Sequence, residues 1–460
     1  MDNQNIGNSG SPGSERPPEL KRVLTLSSLV FYGVAFMVPL TIFTTYGITT
    51  HLTHGMVSAT YVVTTICMAF TAFSYVRMTK VYPSAGSVYT FVHKSINPYI
   101  GFLSGWAILM GYIFLPMLNY LASAMFLSVA IPQIPFWFWI VFFALVVTVV
   151  NHLGIKVADI FNKTIVWIQL VFLMALLVFA SQYILGGGGA ATLFDASAFI
   201  NMTEFTKEGM GFPILLAGAA ILALGYLGFD AISTLSEEAI NPNRDIGRAI
   251  IIACIGAGCM FTFMTYVLQL AWPEAWYQMV DIEGGSYELI ERIAGGAMAY
   301  FFTGAYCVGC LASAIGGVAS SSRVLFGMGR DHILPYKFFA YLHPKYKTPT
   351  FSILLIGLAG MLALVVSLTV AASLLNFGAL LGFGMVNLCV VAHYYMKQKQ
   401  RDLGGTIKYL IIPLLGAAFT FTLWALLDRT AMLLGFSWLA AGLIYLAIKT
   451  KFFKIGRAHV

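Results

Sequence analysis

Charged residues are scarce in this sequence. Only 10% of its 460 residues are Asp, Glu, Lys or Arg, whereas 59% are hydrophobic; soluble domains carry about 25% charged residues. A water-soluble core could not bury so much apolar surface, so the composition predicts a polytopic integral membrane protein. The formal net charge of +7 is small and scattered. It therefore does not favour nucleic acid as a partner.

The signatures of enzymes and metal sites are also missing. There is no GxSxG or HExxH motif, and the eight histidines are scattered through loops and helix ends, so we predict neither an enzyme nor a metal site. The six cysteines all lie in hydrophobic runs and do not suggest a disulfide framework. Cys307 and Cys310 form a CxxC inside a predicted membrane helix, where helix packing is favoured over metal or redox chemistry.

Long apolar runs, by contrast, recur along almost the whole chain. A membrane helix needs about 20 consecutive apolar residues. On this criterion we predict an all-α integral membrane fold with twelve transmembrane helices. Their expected bounds are 26–49, 56–76, 99–127, 134–152, 160–184, 210–235, 249–272, 295–322, 349–367, 371–396, 407–427 and 431–450.

The Lys and Arg residues predict the orientation of these helices. With the N-terminus inside the cell, all of the 26 Lys and Arg except Lys207, Arg292 and Arg429 fall on the cytoplasmic side. By the positive-inside rule, both termini are therefore expected to be cytoplasmic. Residues 1–20, rich in Gly, Ser and Pro, predict a disordered tail, and 451–460 form the other tail. No short apolar segment with a small-residue cleavage site precedes the first span, so we expect no cleaved signal peptide.

Two predicted spans contain residues that interrupt a helix. Pro39 in the first span (GVAFMVPLTIFTTYG) removes an amide donor and clashes one turn back, so this helix is expected to break over 38–41. Gly225 and Gly228 flank Tyr226 in the sixth span and weaken the helix there. A lone Pro or Gly is often only a kink. The first and sixth spans occupy corresponding positions in two five-helix halves, however, and paired interruptions favour an inverted-repeat transporter with its site at the midplane.

Several stretches resemble the amino acid–polyamine–organocation (APC) superfamily. GFDAISTLSEEAINPNRDIGRAI (228–250) is similar to its sixth span and following loop, and RVLFGMGRDHILP (323–335) to its loop after the eighth span. PSAGSVYTFVHKSINPYIGFLSGW (83–106) is similar to the loop leading into its third span. Within the superfamily, MVPLTIFTTYGITT, LGFDAISTLSEE and LLNFGALLGFGMVNL look like stretches of bacterial putrescine importers. The likeness runs from Lys21 to Lys449.

This resemblance implies a LeuT-like fold of two inverted five-helix repeats plus two extra helices, with the first and sixth helices broken. The transport core would span 21–396, with halves 21–185 and 210–396, and the additional helices would span 397–450. The resemblance also implies a monomer or homodimer in the plasma (inner) membrane. It would import or exchange a small amine or amino acid without a cofactor, with H⁺ favoured over Na⁺ as the coupling ion.

The sequence departs from its relatives at positions that bear on the substrate. Typical amino acid members have a GSGIF-like break in the first span, and here the matching stretch is PLTIF (39–43). The putrescine importers carry an aspartate where this chain has Thr44, and another at Gly111. A dication favours buried carboxylates, so both departures weaken the hypothesis that the substrate is a diamine. A putrescine-like amine, a neutral or acidic amino acid (by permease or exchanger) and a transporter-derived sensor therefore stay open.

The acidic residues of the sixth span are the predicted coupling and gating groups. Asp230 lies deepest, and an intramembrane carboxylate is by default a functional candidate; we expect it to carry the proton, the alternative being a cap of the broken helix. Glu237 and Glu238 lie at the cytoplasmic end, near Arg244 and Arg248 in the sequence. They predict either a gate-closing ion network with the cytoplasmic loops or a solvated pair at the helix end.

The remaining predicted site residues cluster around the two interruptions. Tyr226, Leu224 and Phe229 are placed to line the cavity, with Tyr226 as the best candidate for an aromatic lid, since aromatic faces attract ammonium groups. Asn376 is a candidate for the outer gate. The predicted substrate-binding set is Pro39, Leu40, Thr41, Thr44, Gly111, Leu224, Gly225, Tyr226, Gly228, Phe229 and Asn376.

Overall fold

The computed structural model describes residues 20–280, 282, 285–427 and 429–450. The predicted tails, apart from Leu20, lie outside this part. The described chain is all-helical and contains no β-strand. Its α-helices are α1 (Leu26–Met37), α2 (Thr41–Leu52), α3 (Val57–Val81), α4 (Val88–Ser95), α5 (Pro98–Ala130), α6 (Phe136–Leu153), α7 (Ile155–Leu185), α8 (Met202–Phe205), α9 (Phe212–Leu222), α10 (Pro242–Ala271), α11 (Ala275–Gln278), α12 (Gly285–Arg330), α13 (Tyr336–Phe339), α14 (Thr350–Gly360), α15 (Leu368–Val390), α16 (Leu403–Thr406), α17 (Ile412–Ala425) and α18 (Arg429–Lys449).

Ten helical segments of the described chain are long and apolar enough to cross a membrane, or eleven when the bent pair α1 and α2 counts as one span. The apolar segment Thr350–Leu364, at the predicted ninth span, is shorter than these. The molecule is thus a multi-pass membrane protein, as the composition predicted. The number of twelve spans and the division into domains stay predictions.

Helix α12 is longer than the predicted eighth span of 295–322. It runs from Gly285 to Arg330, with a kink at Gly295, where φ is 77° and ψ is 173°. The predicted span stops at Ser322 because Arg323, the last residue of the polar run Ser320–Arg323, is charged. In the structure this run is buried, and the hydroxyls of Ser321 and Ser322 donate to carbonyls of their own helix. Local bonding of this kind lets a polar run continue a membrane helix.

The first span is interrupted where Pro39 lies. Helix α1 ends at Met37, α2 begins at Thr41, and their axes differ by 44°. Between them Val38 has a positive φ of 54°. The carbonyl oxygens freed by the interruption find hydroxyl partners, since Thr41 Oγ1 donates to Met37 O at 2.7 Å and Ser313 Oγ of α12 donates to Phe36 O at 2.8 Å.

The sixth predicted span is α-helical only in its first half. Helix α9 ends at Leu222 and is followed by a 3-10 turn over Ala223–Tyr226 and a second one over Ala231–Leu235. Leu227 between them is extended, and Gly228 has a φ of 141°, which side-chain-bearing residues rarely adopt. The backbone over 223–235 therefore leaves the α-helical path.

The two irregular segments lie against each other. A Cβ atom on Gly228 would stand 2.8 Å from Gly33 O and 2.9 Å from Met37 Cγ, so the sixth span touches α1 there because Gly228 has no side chain. A Cβ atom on Gly225 would be 3.6 Å from Thr41 Cγ2, an ordinary contact. The residues that interrupt the first and sixth spans thus meet at one junction inside the helix bundle.

This junction predicts different effects for its two glycines. Gly228→Ala would place a methyl group against α1 and force a strained φ, so the free energy of unfolding should fall by about 1 to 3 kcal/mol. Gly225→Ala is the matched control, since its Cβ meets only ordinary contacts. Thermal unfolding of the purified variants in detergent measures the difference. Equal midpoints for both variants would contradict the close approach.

Candidate functional site

Asp230 lies at the junction of the two irregular segments and is fully buried. Its Oδ1 accepts a hydrogen bond from the backbone amide of Gly228 at 3.0 Å, and its Oδ2 accepts one from the Tyr112 hydroxyl of α5. Asp230 is the only acidic residue in either irregular segment. In this conformation the Asp230 carboxylate caps an unwound turn, which is the alternative that the sequence had left open. The role of Asp230 as proton carrier stays a prediction.

Tyr112 was missed by sequence reasoning, although it lies one residue after the predicted Gly111. Its ring packs edge-on against Phe36 of α1 at 6.0 Å. Nothing in the local sequence distinguishes it from the other 22 tyrosines, because its role depends on a contact 118 residues away. The side chain joins α5 to the irregular part of the sixth span.

A chain of polar contacts surrounds α1 near its interruption. Asn119 of α5 donates to Ser313 Oγ at 3.0 Å, and Ser313 in turn donates to Phe36 O. One turn earlier on α1, the Tyr32 hydroxyl donates to Gly316 O at 2.7 Å. The freed backbone of the first span is therefore tied to α5 and α12 by side-chain hydroxyl and amide groups.

The predicted aromatic residues of the sixth span fill helix interfaces in this conformation. Tyr226 is buried, with its hydroxyl 2.6 Å from Thr65 Oγ1 of α3 and its ring perpendicular to Phe261 of α10 at 5.8 Å. Phe229 packs edge-on against Tyr75 at 5.9 Å. A lid function for Tyr226 would require this ring to leave its contact with α3 and stays a prediction.

The other predicted substrate-binding residues spread from the junction along α2, α5 and α15. Pro39 and Leu40 are buried, whereas Thr41, Leu224 and Asn376 are half-buried. Thr44 is exposed and donates to the Tyr306 hydroxyl at 3.2 Å.

Gly111 belongs to a helix contact in this conformation. A Cβ atom there would lie 3.3 Å from Leu375 O of α15 and 3.7 Å from Ala379 N. A larger side chain at Gly111 would therefore have to displace the α15 backbone. In this structure the residue serves a close helix approach.

Glu238 forms a buried ion pair with Arg323 of α12. Both residues are only 2% exposed. Arg323 Nε lies 2.5 Å from Glu238 Oε2 and Nη2 lies 3.0 Å from Oε1, which is the paired, planar geometry that favours arginine. Arg323 Nη1 also donates to Ala319 O at 2.9 Å. Both charges are thus compensated inside the protein.

Glu237 forms a second pair, with Arg330 at the end of α12. The two guanidinium nitrogens donate to the two carboxylate oxygens at 2.8 and 2.7 Å, and the amide of Ala85 adds a bond at 3.0 Å. Burial would raise the pKa of Glu237, but the hydrogen bonds and positive charge of Arg330 outweigh it and hold that pKa below its ordinary value. Glu237 is therefore ionised at neutral pH.

The sequence offered two predictions for these glutamates. Ion pairs are present, and their arginines come from α12, whereas Arg244 stays exposed beside Asp245 at 3.8 Å on helix α10. The gating role of these pairs stays a prediction. The alternative of a solvated pair at the helix end is wrong, since Glu238 is buried. One sequence signal was available: RVLFGMGR places two arginines seven residues apart, on one face of a helix.

The chain before α1 closes over these ion pairs. The amides of Val23 and Leu24 donate to Glu238 O at 2.8 and 2.9 Å, and Ile240 N donates to Leu24 O at 3.0 Å. We call this side of the molecule, which also holds residues 82–97 and 323–335, the N-terminal face. Here the irregular sixth span is covered by ion pairs and backbone bonds.

The fold and these contacts define a class of protein: a polytopic helical membrane protein with a polar junction between two interrupted segments. The chain belongs to the amino acid permease family of the APC superfamily, whose family model matches residues 24–448. The resemblance inferred from the sequence is therefore confirmed.

Individual relatives differ in the substrates that their names give. The chain is 38% identical to the low-affinity putrescine importer PlaP of Escherichia coli strain K12 over 440 residues, which cover 95% of each protein. It is 25% identical to the branched-chain amino acid permease BcaP of Bacillus subtilis, over 92% of each. It is 23% identical to the methylthioribose transporter of the same organism, over 94% of each.

The buried ion pair predicts a large effect of single substitutions. Arg323→Gln would leave the Glu238 carboxylate buried without its partner, which typically costs about 3 to 5 kcal/mol of unfolding free energy. Arg244→Gln removes an exposed arginine and should cost less than about 1 kcal/mol. Thermal unfolding compares the two, with Arg323→Gln/Glu238→Gln as a neutral buried pair that should recover part of the loss. No loss in Arg323→Gln would argue against the buried pair.

Proposed function

We propose that the chain is a secondary active transporter that imports a small amine across the plasma membrane, coupled to protons, by alternating access. The observation that carries this proposal is the position of Asp230, a single buried carboxylate bonded to the unwound sixth span where that span meets the interrupted first span. Unwound backbone and a carboxylate inside a bundle are what a membrane protein needs to bind a polar cargo or a proton.

The proposed topology has twelve spans with both termini in the cytoplasm. The bent pair α1 and α2 serves as the first span, α9 with residues 223–235 as the sixth, and Thr350–Leu364 as the ninth. Under this proposal the first ten spans form a LeuT-like inverted repeat, and 397–450 supply two further helices. The distribution of Lys and Arg supports the orientation, and the N-terminal face is then cytoplasmic.

The structure fits a conformation that is closed toward the cytoplasm. The pairs Glu238–Arg323 and Glu237–Arg330 join the end of the sixth span to α12 on the N-terminal face, while Thr44, in the outer half of the first span, is exposed. We propose that release of the substrate requires both pairs to separate, together with the backbone bonds of Leu24.

Protonation of Asp230 offers a link between the cargo and this closure. A neutral carboxyl group is a weaker hydrogen-bond acceptor than a carboxylate, so its protonation would loosen the bonds from Gly228 and Tyr112. The chain from Gly228 to Glu238 contains no α-helix. A change at Asp230 can thus reach the ion pairs through a short stretch of backbone.

The substrate is proposed as a small amine, with putrescine as the guess from the family. Relatives named for putrescine, branched-chain amino acids and methylthioribose show that the family carries varied cargo. One acidic residue in the irregular segments can balance one ammonium group, so a neutral or acidic amino acid, or exchange rather than import, is the second candidate. A sensor that binds without transport is the non-transport candidate.

A competition panel in proteoliposomes tests this proposal. Uptake of labelled putrescine would be challenged with monoamines and with neutral, acidic and basic amino acids, under imposed proton or sodium gradients. The proposal expects amines to compete best and a proton gradient to drive uptake. Competition by amino acids alone would favour the second candidate, and binding without uptake would favour the sensor.

We predict that Asp230→Asn changes the proton coupling of uptake without loss of the fold. The amide oxygen of Asn keeps an acceptor for Gly228 but cannot be protonated at physiological pH, so uptake should lose its dependence on external pH and on the proton gradient. Initial rates of uptake across a pH series measure this, with Glu208→Gln, which changes an exposed acid outside the candidate membrane spans, as the control. A pH profile like that of the parent protein would remove Asp230 from the coupling role.

A further inference from the structure

Some cations on or near the N-terminal face are ion-paired. Arg323 and Arg330 pair with glutamates, and Lys163 pairs with Asp159. Lys94, in the last turn of α4, and Lys397, in the π-helical turn that follows α15, are among the exposed ones. Within the described residues, neither forms an ion pair with a carboxylate.

These two lysines lie together beside an aromatic ring. Lys397 Nζ donates to the carbonyl oxygen of Lys94 at 3.1 Å, and Lys94 Nζ lies 5.4 Å from the centre of the Tyr82 ring. The guanidinium of Arg77 stands nearby on α3 and rests on the ring of Phe73 at 4.7 Å. Positive charge is therefore concentrated at the membrane end of α3, α4 and α15.

An apolar groove of about 340 Å³ opens between α5, α15 and α18. Apart from Ser104, its lining is entirely apolar. The packing of α5 against α18 along the groove is stabilised by two tryptophans. The indole nitrogen of Trp106 donates to Trp438 O at 2.9 Å, and that of Trp438 donates to Trp106 O at 2.7 Å. Its lining includes Ile100, Leu103, Leu381, Met385, Leu439 and Leu443.

The groove and the lysines adjoin each other. A Cβ atom on Gly101 would lie 2.6 Å from the backbone of His93, so α4 ends directly against the first turn of α5. Ile100 of the groove precedes Gly101, and Lys94 follows His93. The groove therefore begins next to Lys94 and runs along membrane-spanning helices away from that end.

We propose that this groove holds an acyl chain of an anionic phospholipid whose phosphate contacts Lys94 and Lys397. The two ammonium groups, which have no carboxylate partner among the described residues, match the phosphate of such a lipid, and the apolar groove matches its acyl chain. Basic pockets between membrane helices are known to bind anionic head groups. The charge favours this occupant over a second copy of the chain, which would have to supply carboxylates at the same place. The site is independent of the transport proposal.

Lipid titration of the full-length protein in detergent tests the site. Thermal unfolding midpoints would be followed against added dioleoyl-phosphatidylglycerol or dioleoyl-phosphatidylcholine. Phosphatidylglycerol should stabilise more, and Lys94→Gln/Lys397→Gln should weaken its apparent affinity by about five-fold for each lysine removed. Lys337→Gln/Lys345→Gln, which removes two exposed cations from α13 and the segment after it, is the matched control and should keep the preference.

A second variant tests the groove itself. Ala440 is an exposed lining residue, so Ala440→Trp should fill the groove from its rim without disturbing the core, and stabilisation by both lipids should fall. Equal effects of the two lysine pairs would mean that bulk charge attracts the lipid, and this would overturn the site. An unchanged lipid response in Ala440→Trp would also overturn the site. A third contradicting outcome is a dimer that dissociates in Ala440→Trp while the variant keeps its preference for phosphatidylglycerol.

Discussion

Backbone polar groups that leave a helix inside a membrane must find partners within the protein, because hydrocarbon offers none. The structure meets this constraint with short hydroxyl side chains. The Ser313 hydroxyl donates to the carbonyl oxygen of Phe36 at the first interruption, and the Ser233 hydroxyl donates to the carbonyl oxygen of Asp230 at the second. Thr234 donates to Ala231 O at 2.6 Å in the same way. The position of these hydroxyls on α12 and the sixth span follows from the need to stabilise irregular backbone.

The same constraint explains why a carboxylate is tolerated at the junction. The amide of Gly228 has no helical acceptor, and Asp230 Oδ1 supplies one, so the acid and the unwound turn stabilise each other. An aspartate in an intact helix at this depth would lack such a donor and would be costly. The polar junction and the irregular geometry are therefore one feature, and changes of charge at Asp230 must affect the backbone around it.

The sequence predicted features that depend on neighbouring residues better than those that depend on distant ones. Pro39 constrains its own turn and Gly228 its own φ, so residues 38–41 and the turns around 228 could be located without coordinates. The partners of Glu237 and Glu238 could not, because Arg330 and Arg323 lie 93 and 85 residues away. The extension of α12 to Arg330 was missed for a related reason: the charge of Arg323 ended the predicted span at Ser322, although tertiary contacts bury that arginine.

The names of relatives that align with more than nine-tenths of this chain give putrescine, branched-chain amino acids and methylthioribose as substrates. Membership of the family therefore does not by itself identify the substrate of this chain. Gly111 is constrained by helix packing, because the backbone of α15 lies 3.3 Å from the position of a Cβ atom there. An acid at Gly111 would require a small shift between α5 and α15. A substitution at that position therefore changes helix packing as well as charge, and Asp230 is left as the acidic residue of the junction.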